Sequence, residues 1–465
     1  MALGKRKGIQ SEVWIPSQDI PRSPGHPFYK ALNRLLAEAK FDAIVEKLCQ
    51  PYYAEHGRPG IPPGIYFRML LVGYFEGLNS QRGIAWRCSD SLSLREFLGF
   101  GPTGDTPDHS SLTVIRQRLP LAVHSEVFVF CLKLARERGL LQGKTIAVDS
   151  TNLAANAAMK SIVRKGSGEG WDAYLHRLAE EEGVENPTAE DARRLDRRRR
   201  GKKVSNQDWE SPSDPDSRIA RMKDGTTRLA YKAEHAVDVG SDLLVAAVVH
   251  PADRSDHETV AETVAEAQVN AEAAGVQEPA REVVADKGYH SAETVAGFAA
   301  AGVRTYIPEP KPSSGRRRWK DKSTEQKQAV LSNRRRMRGV RGKRLSRQRS
   351  EKAERSFAHT CETGGGRRTR VRGRTEVAKR HLIQGFAYNL GVLMRALFGA
   401  GTPRSLHGAV ARACALVTAI GRWLRDHLSP FYAPFRLPAR VPWIGRLNIE
   451  QLLPIRKMAR SSTGC

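Results

Sequence analysis

The stretch Arg281-Glu-Val-Val-Ala-Asp286-Lys-Gly-Tyr-His-Ser291 joins a short apolar run to an aspartate and a glycine turn. The apolar run at 283–285 predicts a buried strand, and Gly288 predicts its end. A carboxylate at the end of such a strand lies where open α/β sheets place their ligands. Taken alone, the pattern is more typical of an ordinary strand-to-loop turn.

A second stretch, Thr145-Ile-Ala-Val-Asp149-Ser-Thr-Asn152, has the same form. Two aspartates at strand ends indicate a shared site for a hard divalent cation, since Mg²⁺ prefers oxygen ligands. Two such ions can activate an attacking oxygen and stabilise the leaving oxygen in a displacement at phosphorus. That chemistry requires a further acidic side chain, and the segment predicted to be helical at 350–359 offers both Glu354 and Glu351.

The segments around these two strands predict an α/β fold, because strands and helices follow one another with a period of 2 and then 3.6. After the strand that ends at Asp149, the pattern predicts a hairpin (231–238 and 243–249), a helix (258–274), the strand that ends at Asp286, a helix (291–301), a strand (303–307) and a long helix (about 375–398).

Residues 26–140 read as helices throughout. Three short helices are predicted at 80–88, 91–98 and 108–119, each opened by a residue that can cap a helix, Ser80, Ser91 or Asp108. Three short basic helices with glycine-rich turns resemble a helix-turn-helix unit, although an ordinary helical bundle with a basic face accounts for the pattern equally well. The basic side chains predicted here to be exposed and to contact DNA are Arg82, Arg87, Arg116 and Arg118.

The formal net charge of +26 favours a polyanionic partner, with nucleic acid as the first candidate and an anionic membrane surface as the second. Residues 311–380 carry 25 Lys and Arg against 6 Asp and Glu. Two charged segments, 160–225 and 311–346, have few core-forming residues and are predicted to be insertions, the first partly disordered. The glycine-rich basic loop 364–374 predicts a clamp on the DNA backbone, a disordered, solvated loop, or both, since the two interpretations are not exclusive.

Several patterns exclude other classes of protein. The six cysteines form no C-x-x-C pair, which argues against a zinc knuckle or a disulfide framework. The first residues carry no apolar core of a signal peptide, and the longest apolar stretch, 65–78, is too short to span a bilayer. We therefore expect a cytoplasmic protein, associated with the nucleoid if DNA is its partner.

One further cluster of possible metal ligands consists of His250, Asp253, Asp256 and His257. A capping box explains part of it better, because Ser255 is followed three residues later by Glu258. Asp256 would then favour the positive start of the helix.

Three stretches together resemble the DDE transposases of bacterial insertion sequences. They are Ala147-Val-Asp149-Ser-Thr-Asn152, Val284-Ala-Asp286-Lys-Gly-Tyr289 and Arg347-Gln-Arg-Ser-Glu-Lys-Ala-Glu354-Arg-Ser-Phe357. The helical segment with Gly57-Arg-Pro, 65–77 and 91–98 is similar to the N-terminal domain of the same family. The resemblance covers roughly residues 25–398.

The resemblance implies a ribonuclease H-like mixed sheet flanked by helices, behind an all-α N-terminal domain. It implies a flexible basic lead-in (1–25), a DNA-binding domain (26–140), a catalytic domain (141–400) and a C-terminal tail (401–465). Asp149, Asp286 and Glu354 would hold two Mg²⁺ ions, with Mn²⁺ as a substitute. Glu354 is preferred to Glu351 because Phe357 then falls in the family's place, although Ser350 departs from the Tyr that many relatives carry before the Glu.

The implied activity is hydrolysis at the end of a mobile element followed by transfer of the freed 3′-hydroxyl to target DNA, by a protein that usually acts as a homodimer. The partner is double-stranded DNA, both the terminal inverted repeats and the target. Beyond the N-terminal arginines, the DNA contacts are assigned to Lys287, Arg347, Arg349, Arg367, Arg368 and Arg370. A structure-specific nuclease on the same fold and a catalytically silent DNA-binding regulator are the alternatives.

Overall fold

The computed structural model describes residues 25–57, 60–198, 205–311, 319 and 321–405. Up to residue 140 the described chain is helical, as the apolar periodicity predicts. The three predicted helix caps are confirmed, since the side chains of Ser80, Ser91 and Asp108 each accept a hydrogen bond from a backbone N–H of the helix that follows. The helices are α1 (Pro27–Glu38), α2 (Phe41–Cys49), α3 (Pro63–Glu76), α4 (Gln81–Asp90), α5 (Leu92–Leu98), α6 (His109–Arg118) and α7 (Leu121–Glu137).

The strands of the described chain follow in the order β1 (Thr145–Ala154), β2 (Val163–Arg164), β3 (Trp209–Glu210), β4 (Arg218–Arg221), β5 (Thr227–Asp238), β6 (Leu244–Pro251), β7 (Glu282–Val284) and β8 (Arg304–Tyr306). The predicted hairpin is confirmed as β5 and β6, and β5 also pairs antiparallel with β1. On its other edge β1 pairs parallel with β7, which pairs parallel with β8. Strand β4 also pairs antiparallel with β5, so these six strands form the ribonuclease H-like mixed sheet that was predicted.

Helices cover both faces of this sheet. They are α10 (Asp256–Ala273), α11 (Ala292–Ala300), α12 (Thr324–Arg338), α13 (Val340–Phe357) and α14 (Arg374–Phe398). Helices α13 and α14 reach one face, since Ser356 and His381 both hydrogen-bond to the ring of His235 on β5. Helix α10 lies on the opposite face, where Thr259 donates to the neighbouring Glu234. Side chains on a strand alternate between faces, so these contacts identify which face each strand residue occupies.

The N-terminal helices and the sheet share one hydrophobic core. A single cluster of buried side chains includes residues of α1 to α7, the central strands, α10 and α14. Phe41 of α2 stacks on Phe386 of α14 with ring centroids 5.8 Å apart. At Gly385 an added Cβ would lie 3.0 Å from Leu244 and 3.1 Å from Phe128, so α14 lies close to both β6 and α7 only because this residue lacks a side chain.

The charged segment 160–225 is more ordered than predicted. In its described residues it contains α8 (Trp171–Glu181) and α9 (Ala189–Arg198), and the rings of Trp171, Tyr174 and Trp209 pack together with centroids 5.2–5.8 Å apart. Strand β4 pairs with β5 and so belongs to the main sheet. The expectation of partial disorder is wrong for these residues because three aromatic side chains supply a small core among the charges.

The basic segment 311–346 is also helical where it is described. Helix α12 packs against α11, and the side-chain amide of Asn333 bonds both the N–H and the C=O of Ile307, just beyond β8. Helix α13 begins at Val340, upstream of the start predicted at residue 350. The predicted lead-in (1–25) and tail (401–465) lie outside the described residues except for residue 25 and residues 401–405. Among the described helices, none is long and apolar enough to cross a membrane.

Candidate functional site

The sheet brings Asp149 and Asp286 together. Strands β1 and β7 are parallel neighbours, and their register pairs Ala147 with Val284. Each aspartate lies two residues beyond this pair, Asp149 within β1 and Asp286 just past the end of β7. The negative charge of Asp286 is close enough to contribute to the raised pKa of Asp149. The prediction that the two strands are neighbours is therefore confirmed, but the prediction that the first strand ends at Asp149 is wrong, because β1 stays paired with β5 as far as Ala154.

Asp149 is mostly enclosed, with 18% of its side chain exposed. Burial raises its pKa, as does Asp286, while Arg349 of α13 and the backbone N–H of Ser150 act in the opposite direction. Because the folded pKa lies above the ordinary value, the contribution of Asp149 to stability is present at acid pH and is lost as the pH rises through the folded pKa. The deprotonated pair of aspartates is thus a site where a bound cation would offset an electrostatic cost.

Arg349 is the cation that faces Asp149 in this structure. Its Nη1 lies 3.3 Å from Oδ2 of Asp149, and 13% of its side chain is exposed. Its Nη2 also donates to the hydroxyl of Ser350 at 3.0 Å. The sequence predicted that Arg349 contacts DNA; here the side chain lies against a carboxylate instead.

Asp286 is held by the turn that follows it. Its Oδ1 accepts a hydrogen bond from the N–H of Gly288 at 2.8 Å, and its backbone is extended. A Cβ on Gly288 would lie 2.8 Å from Oδ2 of Asp256 and 3.1 Å from Oδ1 of Asp286, so this position has no room for a side chain. Lys287 is exposed beside the aspartate. The turn therefore fixes the carboxylate of Asp286 and leaves the side chain of Lys287 exposed beside it.

The two candidate glutamates lie three residues apart on α13 and differ in their contacts. Glu351 pairs with Arg355, which bonds Asp242 at 2.6 Å in the turn between β5 and β6. That turn lies beside the start of β1, where Ile146 pairs with Asp238. Glu354 is exposed and lies four residues after Ser350 and three before Phe357, and residues at these spacings share one side of a helix.

Phe357 links that side of α13 to the site. Its ring stacks on His235 at a centroid distance of 3.8 Å, and His235 is the cross-strand partner of Asp149. As arranged in this structure, no three His, Cys, Asp or Glu side chains of the described chain lie close enough together to hold a metal ion. Two carboxylates are thus assembled, while Glu354 lies on the helix that faces them without joining their cluster.

A buried polar network lies behind the two aspartates, on the face covered by α10. Tyr289, which follows Asp286 by three residues, donates to Oε1 of Glu234 at 2.9 Å. Ser150, which follows Asp149, donates to Asp256 at 2.9 Å. Lys232 joins the two halves, since its Nζ lies 2.7 Å from Asp256 and 3.7 Å from Glu234. The residues that follow Asp149 and Asp286 are therefore held by one connected network of Lys232, Glu234 and Asp256.

The charges of this network are satisfied by partners. Burial raises the pKa of Glu234, but hydrogen bonds from His250 and Thr263 and the charge of Lys232 outweigh it and lower the pKa overall. Tyr289 is fully buried, so it serves packing and hydrogen bonding rather than contact with DNA. Lys232 and Glu234 were not predicted as site residues from the sequence. The sequence feature that could have identified them is a pair of charged residues at alternate positions of β5, a central strand that is covered on both faces.

The cluster His250, Asp253, Asp256 and His257 does not gather as a metal site. Asp256 pairs with Lys232, and Asp253 lies 3.6 Å from Arg218. The ring of His250 hydrogen-bonds Thr263 inside the network. The capping box of Ser255 and Glu258 is confirmed at the start of α10. The capping interpretation of this segment was therefore the correct one.

The arginines predicted on the N-terminal helices differ in what they contact. Arg82 is exposed on α4, and its Nε donates to His109 at 3.3 Å. Arg118 is exposed on α6 and lies over the ring of Tyr53. Arg87 is half-buried near Glu76. The expectation that Arg116 is exposed is wrong, since it forms a 2.6 Å ion pair with Glu376 of α14 and 15% of its side chain is exposed.

The basic loop 364–374 is ordered rather than disordered. Backbone hydrogen bonds join Arg367 and Thr369 to Ala154, at the end of β1. Arg367, Arg368 and Arg370 are exposed on this loop, with Arg367 paired to Glu362. Arg347 is exposed on α13. The loop thus places a row of basic side chains along the continuation of the strand that carries Asp149.

Two protein-family models match the chain. Residues 17–118 match a model described as a transposase domain, and residues 191–390 match one described as a transposase DDE domain. The second match includes Asp286 and Glu354 and begins after Asp149, so the sheet register is the independent support for the first aspartate. No curated protein and no solved structure matches the chain.

Proposed function

Since this chain belongs to the DDE transposases of the insertion-sequence type, we propose that it binds the terminal inverted repeats of its element and catalyses metal-dependent cleavage and strand transfer of DNA. The observation that carries the proposal is the pairing of strands β1 and β7, which places Asp149 and Asp286 each two residues beyond the paired Ala147 and Val284. A partly buried pair of carboxylates has the oxygen donors that Mg²⁺ or Mn²⁺ prefers. Bound there, two such ions would stabilise charge on the attacking and leaving oxygens at phosphorus.

Asp149, Asp286 and Glu354 are the residues we assign to hold these ions. Glu354 is exposed on the side of α13 that carries Phe357, whereas Glu351 is engaged by Arg355 near the start of β1. A metal ion held by Asp149 would compete with Arg349 for that carboxylate. Displaced from the carboxylate, the guanidinium would lie beside the site and be available to a DNA phosphate.

The exposed basic side chains support the DNA part of the proposal. Arg367, Arg368 and Arg370 continue from the strand of Asp149, and Lys287 flanks Asp286. Contacts to phosphate supply affinity without reading sequence, so recognition of the terminal repeats is assigned to the α4–α6 helices. We further propose that two copies act together on paired element ends, in the cytoplasm at the nucleoid.

The test uses purified protein, a duplex that carries one element end, and Mg²⁺. We expect Asp286→Asn to bind this duplex with wild-type affinity and to cleave it at least 1000-fold more slowly, roughly the effect of losing several kcal/mol of transition-state stabilisation. Asp172→Asn, the same change at an exposed carboxylate of α8, should cleave normally. Cleavage at the wild-type rate by Asp286→Asn would refute the mechanism.

A matched pair of variants separates the two glutamates. Glu354→Gln should abolish cleavage, while Glu351→Gln should retain it, since only Glu354 lies on the side of the helix that carries Phe357. Loss of cleavage in Glu351→Gln alone would reassign the third ligand. If wild-type protein cuts branched DNA but not element ends, the structure-specific nuclease is the better description.

A further inference from the structure

A cavity of about 310 Å³ lies away from the two aspartates, between the N-terminal helices and α14. Residues of α3, α4 and α6, the basic loop and α14 line it. Its volume is at the lower end of the range of small-molecule sites, about 300–1,000 Å³. Neither the family matches nor the metal chemistry proposed for Asp149 and Asp286 gives this cavity a role.

The cavity is strongly cationic. Five of its lining side chains are basic, and no Asp or Glu of the described chain is among the lining residues. The five are Arg82, Arg116, Arg370, Lys379 and Arg380. Glu376 lies nearby but is shared by Arg116 and Lys379, so one carboxylate offsets two of these charges. The remaining three arginines give the cavity a net positive potential.

Arg380 is the least compensated of these cations. It is partly buried, and within the described chain it forms no hydrogen bond or ion pair. Burial, with the like charges of Arg370 and Arg116, lowers its pKa to about 10, so it remains protonated at neutral pH. A buried charge without a partner is costly, and a bound anion would remove that cost.

The wall of the cavity also has an apolar part. Tyr74, Val371 and Ile383 line it beside the arginines. Exposed Arg82 and Arg370 stand where it meets the surface. A ligand that fits both parts carries an anionic group for the arginines and a flat apolar group for the remaining wall. A nucleotide has this combination, with its phosphate and its base.

We propose that this cavity binds the phosphate of a nucleotide, with its base against the apolar wall. The nucleotide is either free or part of a DNA strand, and the DNA source rests on the proposed transposase function. Arg370 is on the same loop as Arg368, which pairs with Ala154 at the end of β1. Ala154 is five residues beyond Asp149, roughly 17 Å along the strand at ~3.3 Å per residue. A DNA strand bound at Asp149 can thus follow the basic loop to the cavity.

The test measures binding to the full chain by calorimetry, with deoxyadenosine 5′-monophosphate as the probe and inorganic phosphate and deoxyadenosine as comparisons. Deoxyadenosine monophosphate should bind, inorganic phosphate more weakly, and deoxyadenosine least. Arg380→Met should weaken nucleotide binding at least tenfold, the effect of removing one charge-assisted hydrogen bond. Arg370→Gln, at the exposed rim, should weaken binding in the same direction without a change inside the core. Arg372→Gln, on the same loop but outside the cavity lining, is the control and should bind normally.

A single-stranded oligonucleotide separates the two sources. If it binds at least tenfold more tightly than the mononucleotide, and Arg380→Met removes that advantage, the ligand is a nucleotide within DNA. Equal binding assigns the cavity to a free nucleotide. The proposal is overturned if the wild-type chain binds no phosphate probe, or if both cavity variants bind as wild type does. Asp286→Asn should keep nucleotide binding, so failure of cleavage and failure of the cavity are separate results.

Discussion

Arg349 compensates the charge of Asp149. In this structure the guanidinium is 3.3 Å from the carboxylate and both side chains are largely enclosed. If Asp149 holds a divalent cation as proposed, that cation would compete with the arginine for the carboxylate.

Arg349→Gln should lower the thermal stability of the metal-free protein and make it more responsive to Mg²⁺. Removing the guanidinium leaves the partly buried carboxylate without its main partner, at a cost of about 1–3 kcal/mol. Mg²⁺ then binds without competition, so the rise in melting temperature at a given Mg²⁺ concentration exceeds that of wild type. Thermal melts over a Mg²⁺ series measure both effects.

Arg347→Gln is the control, since this arginine is exposed on the same helix. It should leave the melting temperature and its Mg²⁺ dependence unchanged. An Arg349→Gln protein with the wild-type Mg²⁺ response would show that the arginine does not compete with the ion.

At the scale of elements, the strand ends depend on helix α10. Asp149 and Asp286 are each followed closely by a residue that bonds to the buried network, Ser150 to Asp256 and Tyr289 to Glu234. The network spans β1, β5, α10 and the turn after β7. It acts on the aspartates through the backbone, so its members are positioning residues.

Tyr289→Phe should reduce cleavage without weakening DNA binding. The change removes one donor to the buried Glu234, which costs about 1–3 kcal/mol of stability and loosens the turn that fixes Asp286. Single-turnover kinetics at temperatures where the protein is fully folded should show a slower chemical step and an unchanged dissociation constant for end DNA.

Tyr306→Phe is a matched control at the other end of the same strands. Tyr306 donates to the buried Glu282 at 3.2 Å, at the start of β7. The variant should be destabilised to a comparable degree and keep the wild-type cleavage rate. An equal fall in cleavage in both variants would mean that general destabilisation, not positioning, explains the effect.

The elements that the sequence predicted best are those whose pattern is local. The strands that contain Asp149 and precede Asp286 were visible because an apolar run stops at a charged residue, although the first strand continues beyond Asp149. Ser80, Ser91 and Asp108 were visible as caps. The contact of Arg349 with Asp149 joins residues that are far apart in the chain, and nothing in the local pattern of either residue reveals it. The same holds for Arg116, whose partner Glu376 lies on the last described helix.

Order in the charged segments could not be predicted for a related reason. Helices α8 and α9 pack on a few aromatic side chains, and Asn333 on α12 bonds the backbone beside β8. The composition of such a segment is dominated by its many charged residues, so it does not reveal the few side chains whose contacts order the segment. The choice between Glu354 and Glu351 stays a prediction, since neither glutamate joins the two aspartates in a cluster of the described residues.

For the whole molecule, the charge of +26 predicts a strong dependence of DNA binding on salt. The logarithm of affinity should fall linearly with the logarithm of salt concentration, because bound counterions are released. Replacing both Arg367 and Arg368 by Gln should make this slope shallower by roughly 0.9 for each DNA phosphate that is no longer neutralised. Fluorescence anisotropy over a salt series measures the slope.

The control replaces Arg193 and Arg194 by Gln, an equal reduction of charge on exposed side chains of α9. Its slope should match that of wild type. A common reduction in both double variants would assign the effect to net charge, and an affinity that does not vary with salt would contradict the electrostatic interpretation of the basic loop.

The shared core predicts that the chain cannot be divided at residue 140. Phe386, Leu390 and Leu393 of α14 are fully buried in the cluster that also contains α1–α7. A fragment of residues 141–405 should therefore bind a hydrophobic dye and unfold without a sharp transition, whereas residues 25–405 should unfold cooperatively. A sharp, wild-type-like transition of the shorter fragment would establish an independent catalytic domain.

That undivided core fixes the distance between the N-terminal helices and the sheet. With Phe41 stacked on Phe386 and Arg116 tied to Glu376, the separation between helix α6 and Asp149 is a constant of the fold rather than a property of a linker. If α6 recognises DNA and Asp149 takes part in cutting it, as proposed, the cut falls at a fixed distance from the recognised sequence. Inserting one base pair between the recognised sequence and the original cut site should leave that distance unchanged. The new cut should therefore fall one base pair before the original site.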